Sequence, residues 1–272
     1  MILQERVMSQ KFLASLSSAL LLALSASAAH AHFQLVYTPE VNLDKPKNIP
    51  VKLIFWHPME NGHAMDMEQP EQFFYVFKGE KVDLSKALKP ISFSGKDNQA
   101  KAFEAEVNIR RNGDYLFVLQ PAPYYEKSED AYIQQITKSY VNKGGIPSGW
   151  EKPVGLPAEI VPLNKPTNVL VGSTFSGQVL TGGKPAAGVE IEIEYLAAPP
   201  DVKTNRPSSK KSASAKGGAL VAVTDANGVF TFGIPREGFW GFAALGAGPQ
   251  KEYKGKALSQ DAVIWIRADK ME

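Results

Sequence analysis

The feature that most constrains this chain is the recurrence of short runs of β-branched, aromatic and alternating residues, punctuated by glycine, asparagine and proline. Alternation puts successive side chains on opposite faces of a pleated strand, so such runs suit half-buried sheet. Residues 49–57 are rich in Val, Ile, Phe and Trp; residues 73–77 are apolar and aromatic and lead into a Lys78-Gly79-Glu80-Lys81 turn. Residues 102–109 alternate, and an Asn112-Gly113 turn precedes the run Tyr115-Leu116-Phe117-Val118-Leu119. Only residues 126–141 admit a helical turn, and 133–141 reads equally well as a strand. The chain is therefore expected to be mostly β.

A domain boundary is expected near Pro162-Leu163-Asn164-Lys165-Pro166, dividing the chain into an N-terminal β domain, 32–164, and a C-terminal β-sandwich, 165–272. In the second part Gly177-Gln178-Val179-Leu180 leads to a Thr181-Gly182-Gly183-Lys184-Pro185 turn, and residues 189–195 make a strand with one apolar and one acidic face. The Asn227-Gly228 pair, suited to positive φ, precedes another strand at 229–232. Residues 199–218 hold Pro, Ser, Lys and Ala with few large apolar residues. That composition predicts a long flexible surface loop, with Lys203, Lys210, Lys211 and Lys216 in solvent.

The N-terminus has the layout of a secretory signal: Arg6 and Lys11, an apolar run at 12–24, then small residues ending in Ala29-His30-Ala31. The apolar run falls short of the ~20 residues a membrane helix needs. Cleavage is expected after Ala31, with Ala26-Ser27-Ala28 offering an earlier site, and places His32 at the new N-terminus of a periplasmic protein. Removing 31 of 272 residues leaves 241 and takes away Arg6, Lys11 and Glu5, so 30 basic and 28 acidic side chains become 28 and 27. That balance leaves no footprint for nucleic acid. No second apolar stretch of membrane length follows, so no transmembrane segment is expected in the mature chain. With no cysteine, stability must come from burial, and thiolate metal sites and cysteine nucleophiles are excluded.

After the signal, three histidines and four methionines remain, and five of these seven fall in His57-Pro58-Met59-Glu60-Asn61-Gly62-His63-Ala64-Met65-Asp66-Met67. Neutral imidazole suits nickel, cobalt, copper and zinc, and thioether sulfur suits softer ions. An N-terminal His32 adds an α-amine beside its own ring, so one residue supplies two nitrogens. Candidate metal ligands are His32, His57 and His63, with Met59, Met65 and Met67 as auxiliary ligands or as packing. In an extended segment Met65 and Met67 share one face and Asp66 takes the other. Glu126, Glu129 and Asp130 read as a solvated acidic turn, from which one carboxylate could instead reach the metal. No nucleophile elbow, P-loop, metalloprotease helix or dinucleotide fingerprint occurs, and no catalysis is expected.

Several of these segments together resemble the DUF4198 family, described as the periplasmic component of cobalt/nickel uptake systems. They are Leu53-Ile54-Phe55-Trp56-His57-Pro58-Met59-Glu60 with Met65-Asp66-Met67, Pro123-Tyr124-Tyr125-Glu126, Gly155-Leu156-Pro157-Ala158-Glu159, and Gly238-Phe239-Trp240-Gly241-Phe242. The resemblance implies a binding protein that presents nickel or cobalt to a membrane transporter component. It also implies a C-terminal module similar to carboxypeptidase-regulatory-like or transthyretin-like sandwiches. Copper handling in the periplasm and a metal-free structural or adhesive role are the competing readings.

Overall fold

The computed structural model describes residues 32–271, so the expected signal segment and its cleavage site lie outside the described residues. The described chain is built of strands, with a single short 3₁₀ turn at Ser85–Ala87. The expected strands form at Lys47–Trp56, Gln72–Phe77, Gln99–Ile109, Gly113–Gln120, Thr174–Thr181, Glu190–Tyr195 and Val229–Gly233. Where a helical turn was admitted, the chain instead makes a hairpin, Tyr124–Glu126 paired with Ala131–Lys143. Ala131–Lys143 is buried along most of its length, and its Ile, Tyr and Val side chains suit a sheet better than a helix.

Three sheets carry the architecture. A five-stranded sheet runs in the order Phe33–Tyr37, Lys47–Trp56, Gln99–Ile109, Lys89–Ser94, with Ala64–Met65 paired to Lys47–Trp56. A twelve-stranded sheet has Ala131–Lys143 and Lys256–Asp269 side by side at its centre, in parallel register from Tyr132 opposite Leu258 to Lys138 opposite Ile264. A four-stranded sheet is built on Ala158–Pro162, Thr174–Thr181 and Val229–Gly233. The large sheet thus draws strands from both sides of the proline-flanked segment 162–166, and the described residues gather into one compact unit.

Strand alternation explains how one large sheet serves two cores. Phe73, Phe77, Phe117, Leu119 and Val141 point toward Leu53, Phe103 and Ile109 of the five-stranded sheet. Their neighbours Phe74, Leu116, Val118, Ile136 and Tyr140 point the other way, toward Ile160, Phe175, Val179 and Phe230. The five-stranded sheet is itself covered twice, because its opposite face packs Phe33, Leu35, Tyr37 and Trp56 against Phe239, Val263 and Trp265. Phe33–Tyr37 is consequently buried at every position, an arrangement that fixes a strand's register on both faces.

Residues 199–218 correct the expectation of a free loop. Pro200–Asp201 and Arg206–Pro207 pair as a small hairpin, and the segment docks on the residues after Trp56. The Asn61 side-chain amide donates to the carbonyls of Ser209 and Lys211, each at 3.0 Å, and Ala213 N–H donates to Met59 O at 2.7 Å. Composition reports the lack of apolar anchors but not these backbone partners. The four lysines are exposed, as expected.

Two carboxylates on the acidic face of Glu190–Tyr195 are buried. Burial pushes Glu192 up to about 7, helped by Asp261 and Glu190. Burial pushes Glu194 up to about 9, opposed by the Met59 N–H it accepts at 2.9 Å and assisted by Glu192 and Glu60. Asp261, wholly buried, is raised as well, by burial against hydrogen bonds from Ser259, Gly246 and Gln135. Lys138 and Glu159 form a buried pair at 2.8 Å, and Glu159 also accepts the N–H groups of Val154, Gly155 and Leu156.

Two outcomes follow. Carboxyls raised in the folded state give stability that is complete below their ordinary range near 4.5 and is lost as pH rises through 7 and then 9. The urea midpoint should therefore fall between pH 5 and pH 9, with Glu192→Gln flattening the slope below about pH 7 and Glu194→Gln flattening it over the whole range; unchanged slopes would show that neither group carries it. Asn61→Ala removes two hydrogen bonds worth roughly 0.5–1.5 kcal/mol each, so tryptic cleavage at Lys210 and Lys211 should accelerate by about tenfold. Cleavage at the wild-type rate would mean that other contacts hold the segment.

Candidate metal centre

The three histidines come together through strand register. Phe33 opposes Trp56 in the antiparallel pair of Phe33–Tyr37 and Lys47–Trp56, so the next pair outward is His32 and His57. Trp56 opposes Ala64 in the following hairpin, so the next pair there is His57 and His63. All three therefore stand in one cross-strand row just past the end of the sheet, where directly opposite residues lie about 5 Å apart. The ring centroids are 4.6 Å apart for His32 and His57, and 4.4 Å for His57 and His63. The ends of the row, His32 and His63, are 6.5 Å apart.

One nitrogen from each ring lies within 4.8 Å of the other two. Nitrogens sharing an ion at bonds of about 2.1 Å sit roughly 3–3.4 Å apart, so small side-chain rotations complete the set. His57 is buried, His32 is half-buried and His63 is exposed, which gives the row a closed and an open end.

The turn that carries His57 and His63 is held closed locally. Gly62 N–H donates to His57 O at 2.9 Å, and Trp56 Nε1 and Lys96 N–H donate to Gly62 O at 2.8 and 2.9 Å. Asn61 takes φ +53°, which asparagine tolerates better than most residues. A Cβ at Gly62 would stand 3.0 Å from the His57 Cβ, so glycine lets the turn fold against the imidazole. Asn98 seals the far side by pairing with both N–H and C=O of Ala64, at 3.0 and 2.7 Å.

His32 is anchored from the large sheet. Gln135 on Ala131–Lys143 donates to His32 O at 2.7 Å and accepts Gln34 N–H at 2.8 Å. Glu126 places Oε2 3.2 Å from His32 Nε2. Burial raises the Glu126 carboxyl, but hydrogen bonds from Ser128 and the nearness of His32 and His63 outweigh it, so the group lies below its ordinary range and is ionised at neutral pH. A carboxylate on one ring nitrogen orients the imidazole and raises the basicity of the other. Chelation by an α-amine and its own ring uses Nδ1, so Glu126 at Nε2 is compatible with it.

The methionines lie elsewhere. Met65 and Met67 are buried in the core with Phe55 and Phe73, and Met67 Sδ accepts the Gln34 amide at 3.5 Å. Asp66 is exposed between them, as the alternation predicts. Met59 is buried, with its N–H on Glu194 and its carbonyl on Ala213. Glu129 is exposed in the acidic turn, and Asp130 pairs with Lys256 and Tyr125. Of that turn, only Glu126 contacts a histidine among the described residues. Sequence reasoning noticed the turn without selecting Glu126, and it missed Gln34 and Gln135, whose signal is a polar residue on an otherwise buried strand.

Solved structures resemble the chain only loosely. The D0-D1 domain of Intimin is 12% identical, with 84% of this chain and 95% of that one covered and a TM-score of 0.20. The Yersinia pseudotuberculosis adhesin InvE is 14% identical, covering 85% and 58%, at 0.23. A protein from Corynebacterium diphtheriae described as a putative membrane anchored protein is 11% identical, covering 89% and 60%, at 0.24. No curated protein matches the sequence. The model of a domain of unknown function, DUF4198, matches residues 29–248, most of the described fold and all three histidines, and the chain belongs to that family.

Proposed function

We propose that the protein captures a divalent transition metal ion, nickel or cobalt, in the periplasm and presents it to a membrane uptake transporter, without catalysing a reaction. The observation that carries this reading is the row of three imidazoles with nitrogens within 4.8 Å of one another. His57 is the inner ligand, His63 the ligand at the solvent, and His32 the ligand that Glu126 orients. An exposed end suits a cargo ion that must enter and leave, in contrast to the closed shell of a structural metal.

The donor set supports a borderline ion. Three nitrogens and a neighbouring carboxylate suit nickel, cobalt and zinc, whereas Cu(I) favours thioethers. Met65 and Met67 are committed to the core, and that weighs against the softer ion. Cu(II) stays the competing cargo, because an all-nitrogen site binds it more strongly than nickel in simple competition. Periplasmic location and the transporter partner rest on the sequence and on the family resemblance.

The test is calorimetry with nickel, cobalt and copper on the chain beginning at His32. One ion per chain is expected, with His57→Ala abolishing measurable binding. Glu126→Gln should weaken binding by roughly 10–100-fold, the usual cost of losing an outer carboxylate. Affinity should fall on acidification, because protons compete for the imidazole lone pairs. Binding of none of the three ions, or binding indifferent to His57→Ala, would sink the metal reading in favour of a structural role.

A further inference from the structure

A cavity of about 270 Å³ lies beside the histidine row, lined by residues that neighbour it along the same strands. Three of its lining residues are each two positions from a residue of the site: Gln34 from His32, Phe55 from His57, and Tyr124 from Glu126. In extended chain, residues two apart lie on the same face about 6.5–7 Å along the strand. Gln34 and Phe55 also oppose one another directly, two rows in from the His32–His57 pair and on the same face, so the cavity begins where that face continues inward. The His32 ring confirms the proximity, standing 5.7 Å from the Phe55 ring and 6.4 Å from that of Tyr124.

The lining has a definite chemistry. Tyr124, Tyr125, Tyr132 and Phe55 provide aromatic walls, while Asp66 and Glu68 bring carboxylates; among the described residues no Lys, Arg or His lines the space, and the nearest such contact is Lys256 over the Tyr125 ring at 5.5 Å. Lys101 approaches Glu68 only to 3.9 Å, with both side chains well exposed. Aromatic faces and carboxylates attract ammonium and protonated ring groups and repel anions. With the His32 α-amine joining the three ring nitrogens, a four-coordinate ion is filled and a six-coordinate ion keeps two open positions.

Resting on the metal reading above, we infer that the cavity takes the organic part of a metal chelate, an amine- or imidazole-bearing small molecule, so that ion and chelator bind together. The histidine row holds the ion, and the aromatic cavity holds the chelator's uncharged or cationic body. An anionic chelator such as citrate meets the Asp66 and Glu68 carboxylates there, with no cationic lining side chain among the described residues to offset them, and is disfavoured.

The experiment compares bare nickel ion, nickel with one equivalent of L-histidine, and nickel with citrate, by calorimetry and by native mass spectrometry. The expected result is a protein–nickel–histidine species at one to one to one, held about tenfold more tightly than bare nickel, with no citrate counterpart. Glu68→Lys, at an exposed position, and Tyr132→Ala should each remove that gain while leaving bare nickel affinity within about threefold. If histidine merely strips nickel from wild type and variants alike, the chelate inference is overturned and the metal reading stands. If neither bare nickel nor its histidine chelate binds, both fall together.

Discussion

The candidate site depends on the double burial of Phe33–Tyr37. Phe33, Leu35 and Tyr37 are locked against Phe239, Val263 and Trp265, while Val36 enters the core on the opposite face. A slip of one residue would exchange these faces and strand large apolar groups. That register carries His32 to its place opposite His57, and the hairpin to Ala64–Met65 adds His63. The metal reading is thus an indirect product of hydrophobic packing far larger than any contribution the imidazoles make. Gln135 adds the remaining restraint, since it ties His32 and Gln34 to the large sheet through two hydrogen bonds.

Much of this was legible in the sequence, for a physical reason. Strand existence follows from side-chain alternation and β-branching, which are local, and most of the expected strands formed within a residue or two of their predicted ends. The grouping of His57 and His63 was visible as proximity in sequence, and His32 as the start of the expected mature chain. What was not legible is pairing. Ala131–Lys143 lies next to Lys256–Asp269, more than a hundred residues away, and no local pattern specifies that neighbour. The acidic turn shows the same gap, because Glu126, Glu129 and Asp130 are alike in sequence. Only the hairpin geometry sends Glu126 toward His32 and Asp130 toward Lys256.

The 199–218 segment illustrates a different limit. Its composition offers little to bury, and a flexible loop is the economical expectation. It is ordered by backbone and amide hydrogen bonds to Met59 and Asn61, both on the turn between His57 and His63. The segment and the turn therefore restrain one another. Glu194 enters the same arrangement from below, accepting Met59 N–H from a position where burial holds its carboxyl protonated at neutral pH. A turn bearing a histidine at each end would ordinarily sample many conformers, and these restraints reduce the ordering entropy that an ion would otherwise have to overcome.

The same alternation that builds the strands also separates the two kinds of candidate ligand. Ala64–Met65 continues the hairpin from His63, so residues 63, 65 and 67 fall on one face, yet only His63 extends past the sheet. Met65 sits opposite Phe55, two rows inward, and its thioether joins the core that Phe73 and Phe117 fill. Met67 sits further in again and takes up the Gln34 amide. A thioether at the site would require the hairpin to slip by two residues, and that would drive His63 inward into an apolar row. Position relative to the sheet's end, set by the length of one turn, thus decides which of the soft and borderline donors an ion meets. A nitrogen site beside a methionine-packed core is therefore the arrangement this register produces, and the aromatic cavity next to it is the continuation of the same rows.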